Sequence, residues 1–431
     1  MKIAMVAPYS LFCPNSRQSE DERINNFIKT RGTIVKAHSP SDSLLQLAAF
    51  TPENHELVYM DDQYGNIDTN QGFDLAAITC ITVSANRAYK IADEFRQKGV
   101  YVVMGGIHTT LCPEDAAKHA DTIVVGDADD VWQRFLFDFE NGVPKNFYDG
   151  GRADIRKRPP PRISLVPREW YFLNMMQKEM YAFSTTLGCT RACKFCSDWK
   201  KPGYNRLQKK TIEQIKQELE QIASYSDNYS LLIMDDNVFL DVSHGKKVLE
   251  VIKSLNVRWI AATDISIAEH PSLLKMIRES GCRLLSIGLE SLNEENLKWL
   301  APWKAKQVKS YKDAINKLRE EGINAVGSFM VALEYDTKST FEEIFEFFIE
   351  SKLSGAAISI LTPAPGTELR NKLIKEGRLD LKAPWKAYSG YNLLFKHPTL
   401  SKKDIYDGLF WFLQKCETPE MIEHLKRISF E

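Results

Sequence analysis

The chain has 431 residues, 56 basic and 57 acidic, for a formal net charge of −1. That length holds two or three domains, and the mixed, balanced charge argues against nucleic acid or an anionic membrane as a bulk partner. No stretch reaches the ~20 apolar residues of a membrane span, and the start, MKIAMVAPYSLF, lacks a signal-peptide cleavage site; a cytoplasmic protein without a transmembrane segment is expected.

Short apolar runs alternate with helical spacing from the first residue. Strands are predicted at KIAMVAP, ELVYMDD, DLAAITC, VYVVMGG and DTIVVGDAD, and helices over 85–99, 112–120 and 131–142. This alternation predicts an α/β fold with a doubly wound parallel sheet. Such sheets bind ligands beyond the carboxyl ends of their strands, which here carry TVSAN (82–86), GGIHTT (105–110) and GDADD (126–130). The proline- and charge-rich stretch DIRKRPPPRISLVPREW lies within 143–180, which reads as a linker between domains. Its basic run, RKRPPPR, is short and proline-broken, a solvated segment more than a binding patch.

A second alternating series follows. Strands are predicted at YAFSTTLGC, YSLLIMDDN, RWIAATDI, RLLSIGLES, NAVGSFMVAL and AAISILTPAPGT, with amphipathic helices between them. Six βα units over about 190 residues predict an open or partial parallel barrel. Cys189, Asp235, Asp236, Thr263, Glu290 and Pro363 fall at its strand ends. From about residue 370 a helical tail is expected, its aromatic side chains packing against the barrel.

Five of the eight cysteines are scattered, but TTLGCTRACKFCSDW places Cys189, Cys193 and Cys196 within eight positions. Zinc takes four ligands, and no Cys/His pair at zinc spacing is near. A redox CxxC would leave Cys189 unexplained. Iron–sulfur clusters usually take four thiolates. Three would leave one iron open to a substrate or cofactor that receives an electron.

The pattern C-x3-C-x2-C on the loop after the first strand of a six-unit βα barrel, with Phe195 just before the third cysteine, resembles the radical S-adenosylmethionine (radical SAM) superfamily. The resemblance implies that Cys189, Cys193 and Cys196 are both metal ligands and catalytic residues. They would hold a four-iron, four-sulfur cluster (4Fe-4S) whose open iron chelates SAM, which one electron cleaves to methionine and a 5′-deoxyadenosyl radical. It implies SAM contacts from Phe195, from Asp235 and Asp236 in MDDN, and from Glu290 and Ser291 in GLES. For MDDN a strand-end turn is the alternative reading. GSFMVALEYDT (327–337) and TPAPGT (362–367) resemble signatures of the subgroup with an N-terminal cobalamin-binding domain, with Pro363 in a turn near adenine.

GGIHTTLCPEDA, DTIVVGDADD and the tail WKAYSGYNLLFKHPTLSKKDIYDGLFW extend that likeness over nearly the whole chain. The implied division is a Rossmann-like cobalamin-binding domain over 1–145, a linker over 146–180, a partial (β/α)6 barrel over 181–370 and a mainly helical subdomain over 371–431. Ser84, Gly105, Gly106, His108 and Gly126 would surround the corrin. The D-x-H-x-x-G motif that supplies a lower histidine to cobalt is absent, since the first loop reads APYSLFCPNSRQ, and GDADD replaces GEGE. His108 is expected to anchor a loop or contact the nucleotide tail more than to ligate cobalt.

The implied function is cobalamin-dependent methyl transfer to an unactivated carbon. A non-methylating rearrangement, cyclisation or other SAM-fragment transfer over a vestigial cobalamin domain stays open, as does a non-catalytic metal-binding scaffold. The expected partners are a small-molecule or lipid-like substrate and an electron donor such as flavodoxin or ferredoxin, with no nucleic acid.

Overall fold

The computed structural model describes residues 1–8, 18–31, 40–173, 178–197, 205–418, 421 and 423. Most of the first loop, including Cys13, lies outside the described residues.

Six strands form an N-terminal sheet: β1 (Lys2–Ala7), β2 (Glu56–Asp61), β3 (Leu75–Thr79), β4 (Tyr101–Gly105), β5 (Thr122–Gly126) and β6 (Phe147–Gly151). Their order is β2-β1-β3-β4-β5-β6, and every pair is parallel. Helices cover both faces, which is why β1 and β3 read as unbroken apolar runs. The winding direction reverses between β1 and β3, the crevice where open parallel sheets take ligands.

The sixth strand lies inside the predicted linker. Its sequence, FYDGG, has no apolar run; only Tyr148 is buried. As an edge strand it needs one paired side, so composition did not reveal it. The rest of that segment is packed as well. Ile163, Val166 and Tyr171 join a core cluster that runs from Ile3 and Met5 through Leu44 and Leu45 into Tyr181 and Phe183. Arg158 meets Asp129 at 2.5 Å, and Gln46 donates to the Pro159 carbonyl at 3.0 Å.

The second sheet contains β7 (Phe172–Leu173), β8 (Lys178–Phe183), β11 (Tyr229–Ile233), β12 (Arg258–Thr263), β13 (Cys282–Glu290), β14 (Ala325–Val331) and β15 (Gly355–Ile360). Between β8 and β11 lies a two-stranded ribbon, β9 (Thr186–Leu187) with β10 (Gln208–Lys209). The order is β15-β14-β13-β12-β11-β8-β7; six strands are parallel and β7 alone is antiparallel. The sheet curves without closing, as a half-barrel.

Side-chain alternation explains its hollow interior. In CRLLSIGLE of β13, Leu285, Ile287 and Leu289 are fully buried among core residues. Ser286, Gly288 and Glu290 point the other way and line a cavity. The outer helices start from good caps, such as the reciprocal Thr211–Gln214 capping box of Ile212–Tyr225 and Asp241 ahead of Val242–Leu255. Among the described residues the tail has one long helix, Lys402–Cys416; residues 376–401 before it hold only the single turn Trp385–Ala387 and a lone antiparallel bridge between Leu379 and Phe395.

Candidate active site

The cavity, about 290 Å³, lies at the carboxyl ends of the half-barrel strands. Cys189, Cys193 and Cys196 all line it, with Phe195, Asp236 and Glu290. Cys189 follows Gly188, whose φ of 88° makes the turn out of β9. The cysteine loop is fixed at its middle and its base. The Lys194 N–H donates to the Leu300 carbonyl at 2.8 Å, and the Lys194 carbonyl accepts from the Leu369 N–H at 3.0 Å. Arg152, just beyond β6, donates to the carbonyls of Leu187 and Arg206, so the predicted linker clamps the ribbon.

The thiols sit in a largely buried setting with cations and carboxylates both near, Arg191 and Lys304 on one hand and Asp236 and Glu290 on the other. Burial pushes the Cys189 thiol up to about 11, against the pull of the Arg191 N–H, which donates to its Sγ at 3.4 Å. Burial also raises Cys193, while the Trp303 indole N–H and the Lys304 ammonium lower it. Thiolates here therefore need a further cation, which metal binding supplies. Among the described residues no three Cys, His, Asp or Glu side chains converge as a single metal ion requires. A cubane cluster takes one thiolate at each of three irons, so ligands spread around a cavity wall suit it.

Arg191 stacks on Trp303 at 4.2 Å and reaches Asp264 only at 3.5 Å. Its Nε is buried with no hydrogen-bond partner, and the guanidinium stands in the cavity wall, a cation suited to an anionic group. Lys304 is almost fully buried and donates to both the Gly288 carbonyl and Glu290 Oε1 at 2.7 Å. Glu290 has a φ of 65°, at a bulge in the β13–β14 pairing. Lys304 thus holds that carboxylate in a backbone conformation that costs about 1–3 kcal/mol. A Cβ on Gly288 would meet Glu290 Oε1 at 2.7 Å, so glycine leaves the pair its room.

Other expected contacts are placed elsewhere. Asp235 does not face the cavity. Both its oxygens accept from Thr185 and Thr186, through backbone N–H groups at 2.6 and 3.1 Å and hydroxyls at 2.5 and 2.8 Å. It joins β11 to the start of the cysteine loop; the neighbouring Asp236 lines the cavity. Ser291 is buried and accepts from Asn296 Nδ2 at 3.2 Å and from the Asn293 N–H at 3.1 Å, so it caps a turn. Pro363 offers its carbonyl to Arg370 at 3.3 Å and does not line the cavity.

Sequence reasoning missed Arg191, Asn237, Asp264, Trp303 and Lys304. Arg191 lies inside the quoted cysteine motif. Trp303 and Lys304 both belong to the single-turn helix Pro302–Ala305, which follows Glu294–Leu300 in a stretch with no strong helical periodicity.

At the carboxyl edge of the N-terminal sheet the glycines divide. A Cβ on Gly106 (φ 104°) would strike the Cys80 carbonyl oxygen at 2.7 Å, and one on Gly126 (φ 80°) the Gly151 carbonyl oxygen at 2.3 Å. Both positions are spent on close backbone packing. Gly105 is open, with nothing nearer than 3.8 Å, and lines an apolar slot of about 80 Å³ with Ser43, Thr79 and Val124. Ser84 is buried and donates to the Ile81 carbonyl. His108 is fully buried, its Nε2 2.9 Å from the Tyr89 hydroxyl and its Nδ1 3.3 Å from Thr82 Oγ1, so it anchors the loop and cannot reach a ligand on the edge. An open glycine and an apolar slot at the carboxyl ends of β3, β4 and β5 fit a flat group with a ring-bearing tail, held without a histidine ligand from this loop.

Residues 183–348 match the model of the radical SAM superfamily. That stretch, which holds most of the half-barrel, is a radical SAM domain. Such a domain implies a 4Fe-4S cluster and SAM as cofactors. It is 28% identical over 364 residues to the bacteriochlorophyllide d C-8(2)-methyltransferase of Chlorobaculum tepidum, covering 81% of this chain and 79% of that one. It is 27% identical over 327 residues to the anaerobic magnesium-protoporphyrin IX monomethyl ester cyclase of Rubrivivax gelatinosus, covering 69% of this chain and 57% of that one. Its fold matches the radical SAM methyltransferase TsrM of Kitasatospora setae, solved with cobalamin and a 4Fe-4S cluster. The TM-score is 0.65 at 15% identity, over 87% of this chain and 78% of that one. No helix among the described residues is long and apolar enough to cross a membrane.

Proposed function

We propose that this radical SAM enzyme is a cobalamin-dependent methyltransferase. Cys189, Cys193 and Cys196 hold the cluster, and the N-terminal sheet binds cobalamin at the edge around Gly105. The observation that carries the reading is the meeting of three thiols with a carboxylate-and-cation set in one half-barrel cavity, in a chain with a second parallel sheet ending in an open slot. Bound in these places, the cluster supplies an electron to SAM and cobalamin supplies a methyl group.

The chain's own residues do the holding. Arg191 brings its guanidinium in the cavity wall to the carboxylate of SAM. Asp236 and the Lys304-pinned Glu290 face the amino and ribose groups as acceptors. Phe195 and the small side chains Ser286 and Ser328 shape the wall. Water exclusion at such a mouth protects a reactive centre. The electron comes from a donor such as flavodoxin or ferredoxin, and the substrate is a small or lipid-like molecule.

The test is anaerobic reconstitution followed by SAM and a reductant. The intact chain should show iron–sulfur absorbance, release 5′-deoxyadenosine and methionine, and retain added hydroxocobalamin. Cys189→Ala, Cys193→Ala and Cys196→Ala should each lose the absorbance and reduce nucleoside release to background. Undiminished release in any of them defeats the assignment. The cyclase relative favours a second outcome on the same scaffold, ring closure without methyl transfer; a product lacking the SAM methyl label would select it.

A further inference from the structure

The tail motif WKAYSGYNLLFKHP belongs to neither cofactor site, yet its first half touches the carboxyl edges of both sheets. On the barrel side, the Gly390 carbonyl accepts from the Ile360 N–H at 2.7 Å, extending the edge at β15. Arg370 donates to the Tyr388 hydroxyl at 2.6 Å and to the Pro363 carbonyl at 3.3 Å, and its guanidinium lies over the Trp385 ring at 5.7 Å. On the other side, Trp385 packs on the core of the N-terminal sheet. Its indole N–H donates to Asp115 at 2.7 Å, and its ring meets His108 edge-on at 4.7 Å. The Lys386 N–H donates to Asn86 at 2.9 Å. Asn392 and Ser389 donate to the Gln18 carbonyl at 2.8 and 2.7 Å, taking in the segment that follows β1.

The hydrogen bonds around Trp385 form one directed chain. Tyr89 has a single hydroxyl proton and gives it to Asp115 at 3.0 Å. His108 Nε2 must then donate to the Tyr89 oxygen, and its Nδ1 accepts from Thr82. Asp115 collects the Tyr89 and Trp385 protons on the same oxygen. Every member is satisfied in only one orientation, which makes the network stiff. It reaches from the loop after β3, through the loop after β4, to the tail turn Trp385–Ala387, whose Trp385 ring lies beside Arg370, the residue bonded to the proline turn after β15.

We propose that residues 384–392 are a spacing joint, with Trp385 and Asp115 as positioning residues that set the N-terminal sheet's ligand edge at working distance from the barrel mouth. This rests on the methyltransferase reading above. The step it positions transfers a methyl group from SAM to cobalamin. The sulfonium S–CH3 bond breaks with its electron pair left on sulfur, giving the thioether. The new Co–CH3 bond takes both electrons from two-electron-reduced cobalt, supplied by titanium(III) citrate in the assay. Neither residue touches either cofactor's candidate site, so the joint acts through distance alone.

The experiment uses the full chain reconstituted with cluster and hydroxocobalamin, reduced with titanium(III) citrate and given SAM. Methylcobalamin is followed by absorbance, and backbone hydrogen exchange is measured on the same samples without SAM. Trp385→Ala and Asp115→Ala should slow methylcobalamin formation by about tenfold or more, because a displacement near 1 Å is enough for such a loss. Trp385→Phe, which keeps the ring and loses the N–H, should fall between them and the wild type. Iron content and cobalamin retained per chain should stay within about twofold, as a positioning role requires. Exchange should quicken together over 82–89, 105–116 and 362–371. Wild-type transfer rates in Trp385→Ala and Asp115→Ala would overturn the joint. A wild type that retains no cobalamin would instead sink the methyltransferase reading and, with it, the role assigned here.

Discussion

His108 shows how a residue's role is set by its surroundings. A histidine in a glycine-rich loop at a ligand edge has several roles open to it, with a loop anchor or a tail contact expected over a cobalt ligand; here it is sealed by Tyr89, Thr82 and Trp385 as a loop anchor. Burial pushes its pKa down to about 4, with Asp115 pulling weakly the other way. The folded chain therefore keeps it neutral where the unfolded chain, near 6.5, takes a proton. Stability should fall as pH drops from about 6.5 to about 4, by ~3 kcal/mol over the window. His108→Gln should remove that part of the acid loss. Urea titrations of both proteins at pH 7 and pH 5 check this; equal pH slopes would remove His108 as the source. The cysteine trio is the opposite case, since three soft ligands on one short loop leave few chemistries whatever surrounds them.

At the scale of elements, the six βα units were legible because each buried strand is apolar and each helix has one apolar face. Edge strand β6 was not, because it is stabilised by pairing with β5 and by Tyr148 alone. The glycines at the strand ends look alike in sequence and differ in place. Gly106→Ala and Gly126→Ala force a Cβ into neighbouring backbone at positive φ. Each should lower stability by about 2 kcal/mol or more, read as a lower melting temperature. Gly105→Ala should leave the melting temperature nearly unchanged and weaken retention of added hydroxocobalamin, because its Cβ enters the open side. A melting loss for Gly105→Ala equal to the others would mean that the edge is simply close-packed throughout.

At the scale of the whole molecule, the proline-rich segment does more than connect. It supplies β6, the core residues Ile163, Val166 and Tyr171, and the Arg152 clamp on the cysteine loop. A fragment ending at residue 145 would leave β5 unpaired on its outer side and Leu44, Leu45 and Trp132 partly uncovered. It should fail to give a cooperative melt by circular dichroism, whereas the full chain should unfold with the two sheets coupled. A fragment with a sharp, independent transition would show that the shared core adds little.

The linear order of residues determined the chemistry class here, because ligand type and spacing on one loop are local properties that survive without tertiary context. It also determined both parallel sheets, because burial on both faces writes itself as apolar runs. Only the tertiary structure decided which of two adjacent aspartates faces the cavity, which glycine is open, and that Lys304 and Arg191 complete the wall. Those outcomes depend on side-chain direction at strand ends and on partners tens to hundreds of residues away, and neither leaves a periodic trace along the chain.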